Sequence, residues 1–212
     1  TNVSVKEVLG QEVVPNSGCG SWLMEGQSTN LITQSELFTD SSWTKTNLSI
    51  TPNSIISPSG VLNSSKLIPN TTNGQHKIDI TKTVTSGATV SLSAFVKKGE
   101  YNFCCLYEVT SGKGRFFDIS NGTQGGSFGS NPNTSDIENY GNDWYRISIA
   151  TIVPSTSARY IIYVCDTISS TTMTGNGTSG VYIYGAMLEQ NSFPTSYIPT
   201  SGAASTRLQD IA

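Results

Sequence analysis

Val90-Ser91-Leu92-Ser93-Ala94-Phe95-Val96 puts Val90, Leu92, Ala94 and Val96 on one side and Ser91, Ser93 and Phe95 on the other. A period of two is the mark of a β-strand whose two faces meet different surroundings. Working outward, the same alternation recurs. In 101–109 it places Tyr101, Phe103, Cys105, Tyr107 and Val109 on one face. In 144–153 it runs through Tyr145, Ile147, Ile149 and Thr151. Upstream, Ile78 and Ile80 alternate with Lys77, Asp79 and Thr81. Residues 115–119 read as a further strand. The runs 160–165 and 181–188 are the most apolar, as expected of central strands covered on both faces. Phe38 and Trp43 flank Thr39-Asp40-Ser41-Ser42, a polar turn that would pin two aromatics into one core edge. Residues 120–135 read as a long Gly-rich loop and 169–180 as another polar loop.

Eight or nine short strands with almost no helical periodicity predict an all-β chain. The expected solution is a two-sheet antiparallel β-sandwich of jelly-roll type. Ser, Thr and Asn make up roughly a third of the 212 residues, a composition suited to hydroxylated strand faces and polar turns. Hydrophobic residues are 36% and charged residues 13%, with a net charge of −3. The densest basic pair is Lys97-Lys98, which argues against nucleic acid as a partner, since phosphate binding runs on Lys and Arg. No stretch approaches the ~20 apolar residues of a membrane span, so membrane insertion is not expected. The chain opens Thr-Asn-Val without a Met. The expected organisation is an extended arm or linker over 1–20, leading from an upstream region, the sandwich over 21–200 and a tail over 201–212.

Catalytic patterns fail one by one. His76, the one histidine, reads as a solvated strand position, and no Gly-x-Ser-x-Gly elbow exists for a nucleophilic serine. Glu25 and Glu189 are the carboxylates framed by apolar runs, and both read best as strand-end acceptors for backbone or Arg donors. Residues 122–129 lack the Gly-Lys-Ser/Thr ending of a phosphate loop. Cys19, Cys104, Cys105 and Cys165 contain no CxxC, so neither a zinc site nor any other cofactor is expected. Small buried hydrophobes are the first reading of the cysteines, and a Cys105–Cys165 disulfide is the alternative.

Two stretches resemble a known family. The first is Ser21-Trp22-Leu23-Met24-Glu25-Gly26-Gln27-Ser28-Thr29-Asn30-Leu31-Ile32, continuing through Ser35-Glu36-Leu37-Phe38 to Trp43-Thr44-Lys45. The second is Asp143-Trp144-Tyr145-Arg146-Ile147-Ser148, then Val181-Tyr182-Ile183-Tyr184-Gly185-Ala186-Met187-Leu188-Glu189, Thr195-Ser196-Tyr197-Ile198-Pro199-Thr200 and Thr206-Arg207. Together they resemble the opening and the ending of domains in phage tail and head-fibre proteins. This chain departs from the family at Gly26 and Ser28, where Pro and Arg are frequent, and at Tyr184 and Met187, where Trp and Gln are frequent. If the usual Arg pairs with a carboxylate, that contact is absent here. The resemblance implies a fold similar to jelly-roll carbohydrate-binding modules. It also implies a non-enzymatic fibre or spike module on the surface of a phage particle, touching host-surface glycans. Its motif residues look like fold determinants and carry over no binding positions. The rival reading is a purely structural virion protein that uses its sheet faces for subunit contacts. Partners would be other virion proteins and a homo-oligomer, with a trimer favoured.

Tyr and Trp combine an apolar body with a polar tip and can stack on sugar rings. Tyr101 and Tyr107, six residues apart on one strand face, would span about 20 Å. Arg115 opens the next strand and offers a fork of donors to hydroxyls or an acidic sugar. Tyr163 completes the expected glycan platform if the sheet order sets it alongside. The competing account is that Phe103, Cys105 and Val109 mark the same face as core.

Overall fold

The computed structural model describes residues 14–16 and 19–21 as backbone and residues 25–210 throughout. The expected arm over 1–20 therefore lies mostly outside the described residues. Seventeen strands run in chain order: β1 (Val14–Asn16), β2 (Cys19–Ser21), β3 (Ser28–Asn30), β4 (Thr44–Thr46), β5 (Leu48–Thr51), β6 (Ser65–Pro69), β7 (Asn73–Thr83), β8 (Thr89–Lys98), β9 (Phe103–Glu108), β10 (Lys113–Asp118), β11 (Thr123–Gly129), β12 (Thr134–Asn139), β13 (Trp144–Ile152), β14 (Ser157–Cys165), β15 (Thr172–Thr174), β16 (Val181–Glu189) and β17 (Ser205–Arg207). The described residues form no helix.

Two antiparallel sheets make the body. The first has the order β11-β10-β9-β14-β7-β15, with β4 also paired to β7. The second has the order β12-β13-β8-β16-β6-β5. The opening stretch lies in β8, between β13 and β16, and its register sets Leu92 beside Ile149 and Ala94 beside Ile147. These inner faces meet Ile78, Ile80, Cys104, Leu106, Phe117, Tyr160, Ile162 and Val164 of the first sheet in one apolar core. Each aliphatic side chain taken from water there contributes about 1.5–3 kcal/mol. Tyr160 crosses this core and donates its hydroxyl to Val90 O at 3.0 Å, with Thr151 Oγ1 at 2.9 Å, so its polar tip is satisfied. Phe38 and Trp43 are both buried, ring centroids 5.2 Å apart, as the turn between them predicts. Together the two packed sheets form a jelly-roll-type β-sandwich, as the alternation predicts.

The stretch 120–135, read as a loop, instead contains β11 and the start of β12, edge strands of opposite sheets. Glycines hid the strand. Gly125 packs where a Cβ would fall 2.5 Å from the Ile168 side chain and 3.0 Å from Phe116 Cβ, so these side chains fill the space a larger residue would need. Gln124 and Ser135 join these two edges, through Nε2 to Ser135 O at 3.0 Å and Ser135 Oγ to Oε1 at 2.6 Å. The loop 169–180 likewise contains β15, and the expected tail contains β17, paired with β3.

His76 is fully buried rather than solvated. Its Nδ1 lies 2.6 Å from Asn47 O, and its Nε2 lies 3.1 Å from Thr72 O and 3.2 Å from Met173 O. The alternation misplaced it because β7 is a central strand, flanked by β14 on one side and by β15 and β4 on the other. Cys104, Cys105 and Cys165 are buried free thiols, Cys104 facing the inter-sheet core and the other two the outer face. Burial pushes the Cys104 thiol up to about 12 and raises those of Cys105 and Cys165.

The two family-like stretches meet. β3 and β17 form a ribbon that pairs Ser28 with Arg207 and Asn30 with Ser205. Asn30, fully buried, donates Nδ2 to Ala186 O at 3.3 Å and Ile198 O at 2.8 Å. Its Oδ1 accepts from the amides of Ile32 and Leu188, both at 3.1 Å. Glu189 accepts from Ser28 Oγ, from Thr195 N at 2.9 Å and from Thr195 Oγ1 at 2.6 Å. Ser28 thus meets this carboxylate through its hydroxyl. Glu25 pairs with Arg207 at 2.7 Å and accepts from Ser196 N at 2.8 Å. Beneath this clasp β16 shifts register between Tyr184 and Met187. There Gly185 holds φ +57, with a Cβ position 3.0 Å from the rings of Phe95 and Tyr197. Only glycine fits both constraints without strain.

Candidate functional site

The outer face of the first sheet carries part of the expected platform. Tyr107 and Tyr163 do come together on it, in a satellite cluster with Cys105, Phe116, Ile161 and Phe128. Phe128 is the hub, with centroids 4.8 Å from Tyr107, 5.8 Å from Phe116 and 5.7 Å from Tyr163. Tyr163 is 2% exposed, and burial raises its hydroxyl well above the ordinary range. Lys77 lies 5.6 Å over its ring, and Arg159 forks onto Asp79 with two bonds of 3.0 Å. Desolvation, reinforced by Arg159, lowers the Lys77 ammonium against the pull of Asp79.

The other two expected residues lie elsewhere. Tyr101 precedes β9 and packs against the inter-sheet core. The alternation set it in phase with Tyr107, but the strand starts at Phe103, so that phase does not extend back to it. Arg115 pairs in register with Leu106, on the opposite face from Tyr107. Its Nη1 donates to Gly125 O and its Nη2 to Asn131 Oδ1, both at 3.1 Å.

A better-formed concavity lies on the outer face of the second sheet. The registers align Trp144, Lys97, Tyr182 and Lys66 in one cross-strand row over β13, β8, β16 and β6. The next row aligns Arg146, Phe95 and Tyr184. Phe95 is the centre of an aromatic cluster, with Tyr140 at 4.8 Å, Tyr197 at 5.7 Å and Tyr184 at 5.8 Å. Burial pushes the Tyr184 hydroxyl up to about 12, and it donates to Glu36 Oε1 at 3.1 Å.

At one end of this face Ile55, Ile56, Leu62, Tyr140, Trp144 and Tyr182 line a groove of about 750 Å³. That is the size range of small-ligand sites. Trp144 forms the floor, 3% exposed, its Nε1 donating to Ile56 O at 3.2 Å. Tyr140 forms a wall and is 42% exposed. It stands on the hairpin turn in which Gly141, Asn142 and Asp143 all take positive φ, a conformation that Gly, Asn and Asp tolerate best. Lys97 reaches along the floor, its Nζ donating to Asn142 O at 2.6 Å and standing 3.6 Å from Asp143.

The sequence contains the groove's signal in Trp144 and Tyr182. That Tyr182 sits on the outer face of a strand read as covered on both faces, and that loop 52–64 arrives beside it and Trp144, follow only from the sheet order. Glu25 and Glu189 are both held in the clasp, each by the donors expected of strand-end carboxylates. Among the described residues no group of three His, Cys, Asp or Glu is placed to hold a metal ion.

No family model matches the chain, and no curated protein matches it either. Among solved structures, the chain is similar to the enzymatically active domain of tailspike protein 4 of bacteriophage CBA120. The TM-score is 0.44 at 17% identity, over 75% of this chain and 21% of that one. It is also similar to the N-terminal CBM22-1 and GH10 modules of endo-1,4-β-D-xylanase 10B from Clostridium thermocellum, with a TM-score of 0.44, 13% identity, 83% of this chain and 30% of that one. The CBM22-1 xylan-binding domain from Paenibacillus barcinonensis gives a TM-score of 0.44 and 11% identity over 81% of this chain and 99% of that one. The chain thus spans about a fifth of the tailspike chain it resembles.

Proposed function

We propose that this chain is a non-enzymatic glycan-binding module of a phage fibre or spike, and that the Trp144 groove is its saccharide site. The observation that carries the reading is the groove itself. Tyr140 and Tyr182, above the buried Trp144 floor, offer ring surface to a pyranose, while Lys97 and the Asn142 turn offer polar partners to hydroxyls. Placement on a virion surface, among other virion proteins and in a homo-oligomer such as a trimer, rests on the two family-like stretches that meet in the clasp. The non-enzymatic reading is supported by the commitment of Glu25 and Glu189 to that clasp. Single-site affinity is expected in the mM to μM range, about −4 to −8 kcal/mol, with repeated copies adding avidity.

Glycan-array binding of the wild-type chain, Tyr140→Ala and Tyr182→Ala tests the reading. Both substitutions are expected to abolish retention while melting temperatures move by a few degrees. Unchanged retention in both variants, or no glycan retained by the wild-type chain, overturns it. The rival, a decoration or assembly protein, has one observation in its favour. Ile56, Val61 and Leu62 beside the groove are 61%, 57% and 55% exposed, the kind of patch that subunits cover. In that case Ile56→Ser and Leu62→Ser would dissociate an oligomer seen by sedimentation, and the wild-type chain would retain no glycan.

A further inference from the structure

Arg146 is 5% exposed, yet it forms no ion pair among the described residues. Both of its hydrogen bonds use Nη2, to Ser93 Oγ at 3.0 Å and Thr195 O at 2.7 Å. Its Nε is buried with no partner. The guanidinium lies 5.4 Å over the Phe95 ring, which holds a cation in place but does not neutralise it. A buried cation normally carries a counter-charge, because desolvation without one is expensive. Glu138 stands opposite Arg146 in the β12–β13 register, but it is exposed and makes no ion pair with the guanidinium.

Arg146 borders a cleft of about 480 Å³, distinct from the Trp144 groove. Ser148 and Thr134 line it, Phe193 and Pro194 form an apolar wall, and Asp136 and Glu138 border it on β12. Phe193 is 63% exposed, and among the described residues it has no ring contact.

We infer that this cleft is a second saccharide site, selective for a sugar ring that bears a carboxylate. The carboxylate supplies the charge that Arg146 lacks, meeting the guanidinium at Nη1, the nitrogen not engaged with the protein or buried. The ring face lies against Phe193 and Pro194, and ring hydroxyls meet Ser148, Thr134 and the Asp136 and Glu138 carboxylates. Those two acids disfavour a free dianion such as phosphate, because like charges repel across the cleft. The inference rests on the glycan-binding reading for its ligand class but places the ligand on a different surface.

Residue-resolved NMR titration of the full chain with glucuronate, glucose, acetate and inorganic phosphate separates the possibilities. Glucuronate is expected to shift the amides of Ser148 and Ser192 with millimolar affinity, with glucose, acetate and phosphate giving weaker or no shifts there. Phe193→Ala removes a largely exposed side chain and is expected to weaken glucuronate roughly three- to tenfold. Arg146→Met is expected to abolish the shifts; if it unfolds the chain, the Phe193 variant still decides. Equal response to glucose overturns the acid selectivity. Equal response to acetate or phosphate reduces the cleft to an anion site and overturns the saccharide assignment. No shift at Ser148 and Ser192 overturns the site altogether. The Trp144 groove is read separately at Gly141 and Asn142, so its failure and that of the cleft are told apart.

Discussion

Replacing Asn30 with Ala should cost more than any comparable polar truncation in this chain. The carboxamide is fully buried and makes four hydrogen bonds, to Ala186 O, Ile198 O, Ile32 N and Leu188 N. The substitution leaves all four backbone groups in place and removes their partner. An orphaned buried group costs about 1–3 kcal/mol. The bond to Ala186 O, at 3.3 Å, is the weakest of the four, and a water entering the vacated space would recover part of the loss. About 3–5 kcal/mol is the expected net, a large fraction of the roughly 5–15 kcal/mol that holds a typical domain folded. At about 2–4 °C per kcal/mol for a chain of this size, the melting temperature should fall by roughly 8–15 °C. Urea denaturation with tryptophan fluorescence, beside calorimetry, reads both quantities. Asn30→Asp should be worse, because a carboxylate oxygen would then face Ala186 O and Ile198 O. A fall of less than roughly 3 °C in the Ala variant, or an Asp variant as stable as wild type, would refute the claim that this side chain ties the two ends together.

Gly185→Ala should destabilise by about 1–3 kcal/mol, since it combines a positive φ with ring contacts at 3.0 Å; thermal melting checks it. Tyr107→Ala should cost about 1–3 kcal/mol through its lost packing on Phe128 and leave glycan retention unchanged, which sends ligand binding to the second sheet. In the native state Cys104, Cys105 and Cys165 should resist alkylation at pH 8 and react only on unfolding, because burial raises all three thiols; peptide mapping after iodoacetamide reads each site. Asp118 is partly desolvated, which raises its carboxyl, but the bonds from Ser120 and Asn121 outweigh this and leave it lowered from 3.8. Its contribution is thus present above about pH 4 and fades as pH falls through the lower folded value. Asp118→Asn should flatten that acid-side loss in a pH series of melts.

The body of the fold was legible wherever one strand face was apolar and the other was not, as in β8 and β13. It was hidden where side chains are small or the sheet continues on both sides. Gly125 and Gly126 made β11 look like a loop, and His76 looked solvated because nothing local shows that β4, β14 and β15 close around β7. The expected site was half assembled. Tyr107 and Tyr163 fell together because they sit two strand positions apart on paired strands. Tyr101 and Arg115 did not, since a strand start and a cross-strand phase decide their faces. The Trp144 groove depends on loop 52–64 folding over β13, a contact between residues some ninety positions apart.

Glu25 and Asp210 hold each other's backbone, Glu25 N to Asp210 Oδ2 at 2.9 Å and Asp210 N to Glu25 O at 3.1 Å. A tension applied between these two residues would not cross the sandwich. It would open the β3–β17 ribbon like a zipper, one rung at a time, beginning at Arg207 and stopping at Asn30. The two sheets would hang beside the line of force as a pendant. A tether that gives way rung by rung can lengthen under load while the groove and the cleft keep their shape.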